Sequence, residues 1–197
     1  IFSSLFSLQS QNKFSKRKIE NLKEEVSQLV EDEKKMTQVM IDKVFSFGEL
    51  GFQEFETSKY LGKILEENGF DVEYQISGIP TSWLATWSNG EGGPTIALGS
   101  DFDGVPSTSQ YPGVAYEKPV VEGAPGHGEG HNIGLPIVIT SAIAIKKIMI
   151  ENNINGKLVL WPGVAEEILG AKAWYVRDGY FDNVDMCIFT HVSTNMS

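Results

Sequence analysis

From about Ile19 the apolar positions fall at steps of three and four: Leu22, Val26, Leu29, Val30, Met36, Val39, Met40 and Val44. That spacing makes one face of a helix, and the charged stretch Glu31 to Lys35 predicts a break in it. The next segment, GELGFQEFETSKYLGKILEENGF, predicts a helix through Leu61, Ile64 and Leu65. Thr57 or Ser58 would cap its start by accepting from free N–H groups, and Gly69 would end it in the left-handed conformation. DVEYQIS (71–77), SWLATWS (82–88) and TIALGS (95–100) read as strands, the last two separated by the turn cluster NGEGGP. Residues 104–126 are rich in proline and glycine and read as loop. A helix is expected from Gly134 to Asn152, a buried strand at KLVLWP (157–162), a helix from Glu167 to Asp178 and a strand at DMCIFT (185–190). Strands alternating with helices predict an α/β fold, a sheet flanked by helices. No internal repeat is visible.

Composition narrows this picture. The 197 residues carry a formal net charge of −10. A nucleic-acid partner is therefore not expected, since phosphates are held by a basic face. The single cysteine, Cys187, excludes an internal disulfide framework and a Cys-rich zinc finger. No apolar run reaches the roughly 20 residues of a membrane-spanning helix. The charge is uneven: −2 over residues 1–70 and −8 over residues 71–197. The acidic part suits a cation better than an anionic polymer. Residues 1–18, IFSSLFSLQSQNKFSKRK, differ from the rest, with an apolar Ser-rich start and then a basic cluster. Two readings stand for them, the remnant of a secretory signal cleaved near Ser10 to Gln11 or a frayed arm. The first would make the protein periplasmic or secreted, the second cytoplasmic.

The chemistry-bearing residues sit where strands end. GSDFDGVP (99–106), GHGEGHN (126–132), WPGVAEE (161–167) and FTHV (189–192) each carry acids or a histidine at the end of an expected strand or in the loop beyond it. In open α/β sheets ligands bind at that edge. Asp101 and Asp103 alternate and so share a face of an extended segment, and Glu129 and His131 share the same spacing between glycines. Glu166 and Glu167 are adjacent; at a turn one can bind a metal while the other faces a water. Singly, an Asp-x-Asp is usually a turn or cap, paired glutamates at a helix start usually complement its dipole, and His191 in an apolar strand is usually packed. Taken in this order, the four segments predict a divalent metal held by imidazole and carboxylate.

These segments resemble the metal-dependent amidohydrolase and exopeptidase family, which includes aminoacylases and the hippurate, auxin-conjugate and aminobenzoyl-glutamate hydrolases. GELGFQEFETSKYLGKILEENGF is similar to the family's N-terminal signature, SDFDGVP to its Asp-x-Asp-Ala-Leu-Pro, PGHGEGHN to its His-x-Cys-Gly-His-Asp/Asn, PGVAEE to its Pro-Ala-Glu-Glu and FTHV to its Met-His-Val. The resemblance runs from about Ile41 to the end of the chain. It implies a zinc-exopeptidase-like catalytic domain with a mixed sheet flanked by helices, of which residues 19–197 would be the N-terminal part, with the lid domain absent. It implies two divalent ions (zinc, manganese or cobalt), with His131, Glu167 and His191 as ligands and Glu166 as the general base. Asp103 would orient a ligand. Asp101 and His127 are further candidates as ligands or as residues just behind them, although His127 matches a family position that is not usually a ligand. Glu129 stands where the family has a cysteine that can bridge two metals, and a carboxylate could bridge likewise. The implied reaction is hydrolysis of an amide in a small N-acyl amino acid, an aminobenzoyl-glutamate-like conjugate or a short peptide. A metal-bound hydroxide would attack, and the full-length protein would be a homodimer through the lid. This chain alone is expected to be inactive, because a further histidine ligand and the lid would follow it. The alternative, motivated by Glu129, is a non-catalytic homologue that binds small conjugates or a partner.

Overall fold

The computed structural model describes residues 14–193. Ser15 accepts from the Lys18 N–H and starts α1 (Lys16–Asp32). The chain breaks at Glu33, as the charged stretch predicts, and continues as α2 (Lys34–Phe47). Helix α1 begins three residues before the first periodic apolar residue, because a cap outside the apolar stripe sets its start. The proposed signal cleavage point and most of the 1–18 arm lie outside the described residues.

Helix α3 (Phe55–Glu67) begins earlier than its hydroxyls suggested. Thr57 and Ser58 are buried inside it, not caps. The free N–H groups of Glu56 and Thr57 are instead satisfied by Glu49, whose two carboxylate oxygens each accept at 2.9 Å. Gly69, at φ +73°, does end the helix, with Phe70 N–H donating back to the Leu65 carbonyl.

Five strands follow: β1 (Asp71–Tyr74), β2 (Trp83–Asn89), β3 (Thr95–Asp101), β4 (Gly156–Gly163) and β5 (Met186–Thr190). Helix α4 (Gly134–Glu151) connects β3 to β4, and α5 (Lys172–Arg177) lies between β4 and β5. The sheet order is β1-β2-β4-β3-β5. The β1–β2 and β2–β4 pairs are antiparallel, and β4–β3 and β3–β5 are parallel. This is the expected α/β fold, a mixed sheet flanked by helices.

Alternation along the strands assigns the two faces. Ile96, Leu98, Leu158 and Ile188 line the same apolar space as Ile145, Ile148 and Met149 of α4. On the other face Trp161 packs edge-on against Tyr175 of α5 and Phe181, and lies 5.0 Å from Phe189. Gly99 makes room for that indole, since a Cβ there would fall 2.6 Å from the Trp161 ring. The expected helix from Glu167 to Asp178 is interrupted. Residues Glu166–Ile168 form one 3-10 turn between Ala165 and Leu169, both left-handed, and α5 starts only at Lys172. No described helix is long and apolar enough to cross a membrane.

Because Glu49 caps α3 from outside the helix, Glu49→Ala is expected to lower the unfolding free energy by about 1–2 kcal/mol. Urea denaturation reads this, and an unchanged midpoint would remove Glu49 from that role.

Candidate metal centre

The three parallel strands deliver the site. The carboxyl ends of β4, β3 and β5 lie side by side, with Asp101 closing β3, Ala165 and Glu166 just past β4, and His191 just past β5. His131 arrives from the loop that leads into α4. That helix starts close against β3, since a Cβ on Gly134 would overlap Ser100 Oγ.

His131 and His191 meet through Nε2 atoms 3.2 Å apart. The buried His131 Nδ1 lies 3.1 Å from the Asp103 carbonyl oxygen, and His191 Nδ1 lies 2.6 Å from the Val192 carbonyl oxygen. A carbonyl only accepts, so both Nδ1 atoms carry protons, and in the neutral rings both Nε2 atoms present lone pairs. Two lone pairs face each other at hydrogen-bond distance. A cation between them resolves the conflict. Two nitrogens on one tetrahedral zinc stand about 3.3 Å apart, which is close to the separation found.

The surrounding acids point the same way. One ligand atom each from Asp101, His131, Glu166 and His191 lies within 4.8 Å of the others. Asp101 is fully buried. Its Oδ1 pairs with Lys172 Nζ at 2.8 Å, while Oδ2 has no hydrogen bond among the described residues and stands 4.0 Å from His191 Nε2. Burial pushes the Asp101 carboxyl up, and the Lys172 ammonium only partly restores it. Imidazole nitrogens with unpaired carboxylate oxygens are a donor set suited to zinc, manganese or cobalt, so these residues fit a divalent ion.

Glu129 and Glu167 stand beside this group rather than in it. Glu129 Oε1 accepts from the His131 backbone N–H and lies against His127 Nδ1, both at 3.2 Å; Oε2 is buried without a hydrogen bond among the described residues. Burial would raise the Glu129 carboxyl, but the His127 hydrogen bond and the nearby imidazoles hold it below the ordinary carboxylate range. His127 itself is buried, and its Nε2 has no hydrogen bond among the described residues. Glu167 is exposed, and its backbone N–H donates to Asp103 Oδ2 at 3.1 Å. Asp103, fully buried, thus holds the acidic turn with one oxygen, while its other oxygen lies 3.4 Å from His131 Nδ1. Burial pulls the His131 imidazolium down, yet the carboxylates of Asp103, Glu129 and Asp101 outweigh it and leave the ring above its ordinary 6.5.

Two residues here escaped the sequence reading. Lys172, the partner of Asp101, sits in a helix with no distinguishing spacing. Glu54 belongs to the N-terminal signature, but nothing there shows that it reaches the acidic turn.

No family model matches the sequence. Among curated proteins, one of the subunits of the p-aminobenzoyl-glutamate hydrolase of Escherichia coli is 33% identical over 150 residues, covering 76% of this chain and 31% of that protein. The hippurate hydrolase of Campylobacter jejuni is 32% identical over 139 residues, covering 70% of this chain and 33% of that protein. A dinuclear metal-binding peptidase of Bacillus subtilis has a similar structure, with a TM-score of 0.70 at 22% identity, over 82% of this chain and 44% of that one. The chain belongs to the metal-dependent amidohydrolase and exopeptidase family. It spans about a third of the length of these curated family members. The solved family fold matches the mixed sheet found here.

Metal binding requires the neutral imidazole. Because His131 is raised above 6.5, the affinity of the metal-free protein for zinc or manganese is expected to fall with acidification, starting above that value. Calorimetric titration between about pH 8 and about pH 6 checks this; a flat affinity would show that His131 does not take part.

Proposed function

We propose that the full polypeptide carrying this chain is a metal-dependent hydrolase that cleaves an amide bond. Its substrates would be small N-acyl amino acids, aminobenzoyl-glutamate-like conjugates or short peptides. The observation that carries the reading is the facing pair of His131 and His191 Nε2 atoms, ringed by the carboxylates of Asp101 and Glu166. The names of the two curated relatives support the substrate class, since each specifies an amide between a benzoyl-type acid and an amino acid.

His131 and His191 would hold the metal, with Glu167, Glu129 or Asp101 completing the set, and two ions would fit the number of donors present. The bound metal supplies Lewis acidity for the amide carbonyl. Glu166 is half-buried and lies among the ligand atoms, so its carboxylate can take a proton from the attacking water and pass it to the departing amine. Asp103 orients His131 through its carbonyl and the acidic turn through its side chain. Lys172 keeps one oxygen of Asp101 occupied, so that residue offers the other.

Glu166→Gln in the full-length protein tests the base. Turnover of p-aminobenzoyl-glutamate or hippurate is expected to fall about 10²- to 10⁴-fold while metal content stays the same. Unchanged turnover would remove Glu166 from the reaction. Loss of metal together with activity would make it a ligand, leaving Glu167 as the base. Wild-type protein that binds the conjugates without cleaving them would favour the non-catalytic reading that the glutamate at position 129 motivates.

A further inference from the structure

Glu54, the residue before α3, is fully buried, and so is Thr81 beside it. Both of its carboxylate oxygens are engaged. Oε2 accepts from Thr81 Oγ1 at 2.8 Å, and Oε1 accepts from the Ala165 backbone N–H at 2.9 Å. A single side chain thus ties the start of α3 and the approach to β2 to the turn that follows β4. A carboxyl is a costly group to bury unless its hydrogen bonds are complete, so these contacts need an explanation beyond filling space.

The residue it holds is unusual. Ala165 is left-handed, with φ 55° and ψ 43°, and it is fully buried. A non-glycine residue in that region costs roughly 1 kcal/mol or more and persists only where its surroundings enforce it. Here they do. A Cβ on Gly51 would fall 2.9 Å from Ala165 Cα, and one on Gly170 would fall 2.8 Å from Ala165 Cβ, so two glycines close on it. The Ala165 carbonyl accepts from Gly170 N–H at 2.8 Å, and its own N–H goes to Glu54. Glu166 follows directly, and the Glu167 N–H is held by Asp103. Glu166 is therefore bracketed by two backbone N–H groups, each fixed by a buried carboxylate.

We propose that Glu54 is a positioning residue for Glu166, anchoring the left-handed Ala165 so that the Glu166 carboxylate is aimed at the metal centre. It touches neither metal nor substrate. The inference rests on the role given to Glu166 above. It requires an acceptor at Ala165 rather than a negative charge, and the two can be separated. In Glu54→Gln the amide oxygen accepts from Ala165 while its NH2 donates to the Thr81 hydroxyl. Glu54→Leu keeps the volume and removes the acceptor.

The test uses full-length, metal-loaded protein. For Glu54→Leu, kcat is expected to fall about tenfold to a hundredfold, with KM and metal content within about twofold of wild type. Deuterium uptake over residues 162–170 is expected to accelerate in that variant, and Glu54→Gln should restore both kcat and protection. Wild-type kcat and wild-type uptake in Glu54→Leu would overturn the proposal, as would a Gln variant as impaired as the Leu one. Should Glu54→Leu not fold, Thr81→Val frees one oxygen of Glu54; a fall in kcat of about threefold or more at constant KM supports the anchor, and no change overturns it. If wild-type protein with metal has no turnover, the function proposed for Glu166 fails. The difference in deuterium uptake between the Leu and Gln variants still decides whether Glu54 holds the turn.

Discussion

Two imidazoles whose Nδ1 protons are already given to carbonyls face each other through Nε2 at 3.2 Å. Neutral rings in that arrangement repel, and only a shared proton or a metal ion makes it favourable. The fold works to bring about this contact. His191 is fixed by the end of β5 and His131 by the entry to α4, and both strand and helix register on β3. Ser100 donates to the Thr190 carbonyl at 2.8 Å just before His191, and Gly134 lets α4 start against that same serine. A bulkier residue at position 134 would push α4 and His131 away from the partner imidazole.

Among the described residues three carboxylates are completely buried: Asp101 and Asp103 beside this pair, and Glu54 behind the acidic turn. Burial disfavours their charged forms, and burial is the leading cause of the raised pKa values of Glu54 and Asp101. Each is compensated differently. Glu54 takes a hydroxyl and a backbone N–H, Asp103 a backbone N–H and the neighbouring imidazole, and Asp101 a lysine on one oxygen only. Asp101 Oδ2 and Asp103 Oδ1 are both left without a hydrogen bond among the described residues, the first 4.0 Å from His191 Nε2 and the second 3.4 Å from His131 Nδ1. Part of the acidic balance of residues 71–197 thus has a local meaning: Asp103 holds the backbone of the acidic turn, and Asp101 and Glu166 gather beside the two histidines.

The sequence carried most of the fold because its elements announce themselves locally. The apolar period of three and four marks α1, α2 and α3, the short apolar runs mark β2 to β5, and Gly69 ends α3 as its chemistry demands. The histidines and acids were legible as a group because all of them fall at strand ends or in glycine-rich loops. What escaped depends on partners distant in sequence. Glu49 caps α3 from seven and eight residues away, displacing Thr57 and Ser58 from that role. Glu54 acts on a backbone 111 residues later, and an alanine in the left-handed region leaves no signature in the sequence. The break between Glu166 and α5 was missed for the same reason: apolar spacing continues through Ile168 and Leu169, while Ala165 and Leu169 turn left-handed.

Glu129 shows how the same architecture can be tuned. A thiolate at this position would be a soft donor; a carboxylate is harder and offers two oxygens. Here the two oxygens divide the work. Oε1 is occupied by the His131 backbone N–H and the His127 imidazole, which fixes the side chain against the loop, and Oε2 is buried with no hydrogen bond among the described residues. An anionic oxygen so placed needs donors or positive charge nearby, and the His127 hydrogen bond and the neighbouring imidazoles hold the Glu129 carboxyl below its ordinary value against the effect of burial. A divalent ion beside His131 would take their place.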